Sequence, residues 1–125
     1  MPTDELPPMR RDIDLGPLHR LLHMVGTAGT TLLLETLIDD MKSTQAGLDR
    51  AWSGPDYTQL RAHSHTLIAL AGTVGDSDLQ TIALQLNTAA NAEDKEQIAV
   101  MRLITDQNTA DLIAALTRLH LDAGA

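Results

Sequence analysis

"LRAHSHTLIALAGTVG", residues 60–75, sets two histidines two positions apart in a largely apolar run. Leu60, Ser64, Leu67, Leu70, Ala71 and Val74 recur at helical steps. On a wheel at about 100° per residue they fall within about 120° of one another, so the stretch reads as a helix with one buried stripe. Gly75 is placed to end it. His63 falls at the edge of the stripe, between Leu60 and Leu70. His65 lands about 160° from its centre, on the outer face.

Working outward, "SGPD" at residues 53–56 is a strong break, in which Gly stops one helix and Pro starts the next. Before it, Leu33, Leu37, Met41, Leu48 and Trp52 define a long helix from about Ala28 to Trp52. Ahead of that, Leu15, Leu18, Leu22 and Val25 mark a short helix, ended at Gly26. Beyond Gly75, Asp76 or Ser77 can cap a helix whose apolar line is Leu79, Ile82, Leu86 and Ala90. Asn91 to Asp94 makes a turn. A last helix, from about Lys95 to Leu121, carries Ile98, Met101, Ile104, Leu112, Leu116 and Leu119. The polar run "TDQNT" at 105–109 is expected to kink it. Short loops force consecutive helices to lie antiparallel. The expected fold is all-α: an antiparallel up-down-up-down four-helix bundle with a short leading N-terminal helix. It occupies residues 13–121, behind a loose, proline-containing tail at 1–12.

Composition narrows the function. Aromatic residues are 2% of the 125, so Leu, Ile, Val, Met and Ala must build the core, which suits helices. A net charge of −8 argues against nucleic acid and anionic membranes as partners. With no cysteine, disulfides, thiolate catalysis and cysteine-ligated zinc are excluded. No apolar run reads as a spanning helix, and "MPTDELPPMRRDID" lacks the order of a signal peptide, so a cytoplasmic protein is expected.

Around His65 on the outer face lie Arg61, Ala62, Ile68, Ala69 and Gly72. An ordinary solvated face would carry Glu, Lys and Gln. Small residues and one exposed Ile instead make a flat, partly apolar pad around a single imidazole, open to close approach by another protein. The other histidines read as structural. His63 packs at the stripe. His19 and His23 share a face without a third ligand, so no metal is expected. His120 sits near a helix C-terminus, where the macrodipole favours a cation.

The run from His65 resembles the histidine-containing phosphotransfer (HPt) domain, whose motif reads His-x-Leu-Lys-Gly, then small residues, a Gly ten positions after the His and a Leu four further on. Here His65 and Leu67 match the start, Ala71 and Gly72 fall at small positions, Gly75 is the turn glycine and Leu79 the following Leu. The order of helices extends the resemblance over about residues 13–121. Two positions depart from it: Ile68 stands for Lys and Ala69 for Gly. Arg61, one turn before His65, is the one evident replacement for the missing cation.

The resemblance implies that His65 accepts a phosphoryl group from a receiver-domain aspartate and passes it to another receiver. It implies a phosphocarrier and not a turnover enzyme. The partners would be receiver domains of response regulators or hybrid histidine kinases, docking on the pad. No cofactor of its own is expected, because the receiver would bring the Mg²⁺. A monomer is expected. The substitution at Ile68 motivates an alternative: an HPt-like docking module that binds a receiver or histidine kinase without efficient phosphorylation.

Overall fold

The computed structural model describes residues 13–124. Among them are four helices and no strand: α1 (Gly16–Ala51), α2 (Tyr57–Val74), α3 (Ser77–Asn91) and α4 (Lys95–Ala123). The expected tail, residues 1–12, lies outside the described residues. α2 packs on α1 and on α3, α4 packs on α3 and on α1, and the two diagonal pairs make no close backbone approach.

The expected leading helix and long helix meet at Gly26, whose φ of 74° and ψ of −178° break the α-helical path. No loop separates them. Thr30 Oγ1 donates to the Gly26 carbonyl at 2.7 Å and the helix resumes at once. The first run buries Leu15 and Leu18 but leaves Val25 at the edge of the break exposed, against the expectation. An 18-residue window of α1 has a mean hydropathy of 1.4, with 17% of it buried. By length and composition alone α1 is therefore long and apolar enough to cross a membrane, where no apolar run was expected to read as a spanning helix.

Three later helices start alike. Asp56, Asp76 and Asp94 accept from the backbone N–H of Gln59, Leu79 and Gln97 at 3.0, 3.2 and 3.1 Å. An N-cap carboxylate satisfies an otherwise orphaned donor and meets the positive end of the helix dipole. Pro55 therefore lies outside α2 and does not open it, because Asp56 takes the cap position. Gly54, at φ +117°, makes the turn before it.

The core is an aliphatic stripe from each helix. Leu37, Met41, Leu48 and Trp52 of the α1 side are buried as expected, and so are Leu79, Ile82, Leu86 and Ala90 of α3. In α4 the phase differs from expectation. Ile104 is exposed, and Thr105, Asn108 and Thr109 are buried. The helix runs through them with no kink. Ile98, Met101, Thr105, Asn108, Leu112 and Leu116 step by three or four, so the polar side chains hold the helical phase that apolar ones hold elsewhere. Asn108 Nδ2 donates to the Ile104 carbonyl at 2.8 Å, while the Thr105 and Thr109 hydroxyls have no partner among the described residues.

Side-chain links tie α1 to α4. Trp52 Nε1 donates to Asp106 Oδ1 at 3.3 Å, and His120 Nε2 lies 3.2 Å from Glu35 Oε2. Burial pushes the Asp106 carboxyl above the ordinary carboxylate range, and the indole hydrogen bond partly opposes that.

Candidate functional site

His65 stands exposed near the middle of α2, about two turns from either end of the element that carries it. Opposite it, Leu60, Ser64, Leu67, Ala71 and Val74 are fully buried. Leu70, placed by the wheel in the stripe, is only half-buried. Ser64 is the polar member of this stripe. Its hydroxyl donates to the Arg61 carbonyl at 3.2 Å and accepts from Asn87 Nδ2 at 3.0 Å. Asn87 Nδ2 also reaches the Arg61 carbonyl at 3.2 Å. A fully buried hydroxyl is tolerated when it is paired in this way.

A second amide from α3 acts on the other side of the histidine. Gln80 Nε2 donates to the Ile68 carbonyl at 3.4 Å. A Cβ on Gly72 would sit 2.5 Å from that same nitrogen. Gly72 thus leaves room for a neighbour within the fold, where the sequence reading had assigned the space to an incoming partner. Gln80 and Asn87 grip α2 about one turn after and one turn before His65, fixing the rotation of its helix. Neither was singled out from sequence. Their signal is the seven-residue spacing, which puts two amides on one face of a helix.

The rest of the pad is mixed. Ala62, Ala69 and Gly72 are exposed, where the wheel places them. Ile68 was expected to be exposed but is half-buried and packs against the core. It lies at the edge of the stripe, and burying its apolar surface is favourable wherever α2 lets it lean inward. Arg61 is half-buried as well. Its Nη1 donates to the Ala90 carbonyl at 3.5 Å and its Nη2 to Thr58 Oγ1 at 3.2 Å. Helical side chains lean toward the N-terminus, so Arg61 leans away from His65, and Ile68 and Ala69 are the residues that lean toward it. The guanidinium serves the C-terminal end of α3, a favourable place for a cation.

His63 is half-buried, and its ring rests directly on the backbone of Gly47. A Cβ at Gly47 would clash with Cε1, Nε2 and Cδ2 of that ring. Gly47→Ala is expected to cost about 1–3 kcal/mol, the range for overpacking a closed contact. His63→Ala in the same chain should recover most of the loss. A double-mutant cycle by urea unfolding checks this, and additive effects would show that the contact is not what Gly47 provides.

His19 and His23 are both exposed, and no group of three or more His, Asp or Glu side chains among the described residues is placed to hold a metal. Compared with known protein families, curated proteins and solved structures, the chain matches none. The site is therefore one accessible imidazole on a helix held by two amide clamps, with uncharged residues leaning toward it.

Proposed function

We propose that the chain is a histidine phosphotransfer protein of a two-component phosphorelay, with His65 as phosphoacceptor. The observation that carries this is the position of His65: exposed on the outer face of α2, ten residues before the helix-ending Gly75, among Ala62, Ala69 and Gly72. A neutral imidazole nitrogen is a competent nucleophile near pH 7. It attacks the phosphorus of a receiver's aspartyl phosphate. A P–N bond forms as the P–O bond to the aspartate breaks, and the carboxylate leaves. Transfer onward reverses these steps on a second receiver. Phosphoryl transfer needs positioning and charge stabilisation more than covalent help. The amide clamps supply positioning, and the receiver brings the Mg²⁺ and the acceptor carboxylate.

The reading includes an antiparallel up-down-up-down four-helix bundle. Contacting residues support it, because one number falls as the other rises: Arg61 with Ala90 and Ile68 with Gln80, Glu35 with His120 and Trp52 with Asp106, Pro17 with Gly75 and Gly47 with His63. A monomeric cytoplasmic carrier that docks receivers of response regulators or hybrid kinases, and is not itself a turnover enzyme, completes it. The test is incubation of the purified protein with a panel of phosphorylated receivers. Acid-labile, base-stable label on this chain is the expected result. Binding without label would support the second reading, a docking module, which the tethered Arg61 and uncharged Ile68 favour.

Ile68→Lys distinguishes the two further. A cation about 4 Å from the developing phosphate charge is worth roughly 1–4 kcal/mol between water and surface dielectric values. Uptake should accelerate about tenfold, equivalent to about 1.4 kcal/mol. An unchanged single-turnover rate would mean that the receiver already supplies the charge.

A further inference from the structure

A groove follows the seam between α3 and α4, away from the His65 face. It consists of two adjoining cavities of about 450 and 610 Å³ that share Thr81. Four large apolar side chains open into it and stay exposed: Leu84 at 50%, Val100 at 69%, Leu103 at 66% and Ile104 at 43%. Val100, Leu103 and Ile104 lie at i, i+3 and i+4 on α4 and form one stripe. The rim is uncharged and polar, with Gln85, Gln97 and Gln107. The charges that line it are Asp78 toward one end and Asp94 at the other, and among the described residues no Lys or Arg does. An apolar centre with an amide rim and few charges is the composition of a protein interface core, not of a solvated helix face.

We infer that this groove receives an amphipathic helix of a partner protein, about four turns long, with basic residues flanking its apolar face. The length follows from α3: Asp78 to Asn91 is thirteen steps, about 20 Å at 1.5 Å per residue. The apolar face follows from the exposed stripe, which suits anchors at i, i+3, i+4 and i+7. The basic flanks follow from charge: the lining residues that bear charge are carboxylates, and the whole chain carries −8. None of Arg61, Ala62, Ile68, Ala69 and Gly72 lines the groove, so it can be filled while His65 is engaged. A tethering surface of this kind holds the protein beside a partner and leaves the histidine free. The inference stands whether or not His65 is phosphorylated.

The test uses a synthetic helical peptide of about sixteen residues, with leucines at i, i+3, i+4, i+7 and i+11 and two lysines at each end. It is titrated into the ¹⁵N-labelled full chain. The expected shifts centre on the amides of Leu84, Val100, Leu103 and Ile104. The double variant Val100→Glu, Leu103→Glu, both at exposed positions, should keep its far-UV dichroism and bind about tenfold more weakly. A peptide with glutamates in place of the lysines should also bind about tenfold more weakly. Absence of binding, shifts centred on α2, or equal binding by either control would overturn the inference. So would a dimer of the protein alone, seen in sedimentation and lost in the double variant, since a second copy would then be the occupant.

Discussion

His65→Gln protein is expected to take up no label from any phosphorylated receiver that labels the wild type, and to unfold at the same urea concentration. The first half follows from chemistry. Glutamine keeps a polar side chain of similar length but has no nitrogen lone pair able to attack phosphorus. No neighbour can take over, since Arg61, Ala62, Ile68, Ala69 and Gly72 include no nucleophile at neutral pH. The second half follows from exposure: His65 makes no side-chain hydrogen bond and lines no core contact among the described residues, so its replacement should stay within about 0.5 kcal/mol. His63→Gln is the control. Its ring rests on Gly47, so the change should cost stability yet leave uptake in the folded protein intact. Label persisting on the His65 variant would move the nucleophile elsewhere, and loss of label in both variants would point to a disturbed α2 and not to a missing acceptor.

The separation of the two histidines was legible in the sequence because α2 is a regular helix with enough apolar positions to set its phase, although Ile68 and Leu70 at the edges of the stripe are both half-buried. Leu60, Leu67, Ala71 and Val74 agree with one another, and His65 is then outward by subtraction. The same arithmetic failed in α4. There the inward positions are Thr105, Asn108 and Thr109, and a reading that equates polar with exposed shifts the stripe onto Ile104 or breaks the helix. Contacts between helices were beyond reach for a different reason. Gly72 is small because Gln80 occupies the space, and Gly47 because His63 does; both causes lie on another element. Arg61 shows the limit of spacing arguments. Four residues from His65, it shares a face with it, but the lean of helical side chains and the Ala90 carbonyl at the end of α3 direct its charge away.

Gly75→Ala should be strongly destabilising, at about 3 kcal/mol and a fall in Tm of more than about 10 °C. Two independent costs add. Gly75 has φ +89°, a left-handed conformation that costs a residue with a Cβ about 1–2 kcal/mol. In that conformation its N–H and that of Asp76 both bond the Ala71 carbonyl at 2.9 Å, closing α2 and turning the chain straight into the Asp76 cap of α3. The new Cβ would also lie 2.5 Å from Pro17 Cγ and 2.6 Å from its Cδ. That ring cannot swing aside, because it belongs to the first turn of α1 and is followed by the fully buried Leu18. Overpacking of such a contact costs about 1–3 kcal/mol. Adding Pro17→Ala should return roughly the overpacking share and leave the backbone share in place. Recovery of the whole loss would mean that φ at residue 75 relaxes freely, and a single-variant cost below about 1 kcal/mol would mean that α1 does not hold Pro17 against the turn. His65 lies ten residues earlier on α2, so folded Gly75→Ala protein at low temperature should still accept phosphate, which separates the glycine that ends the helix from the histidine that uses it.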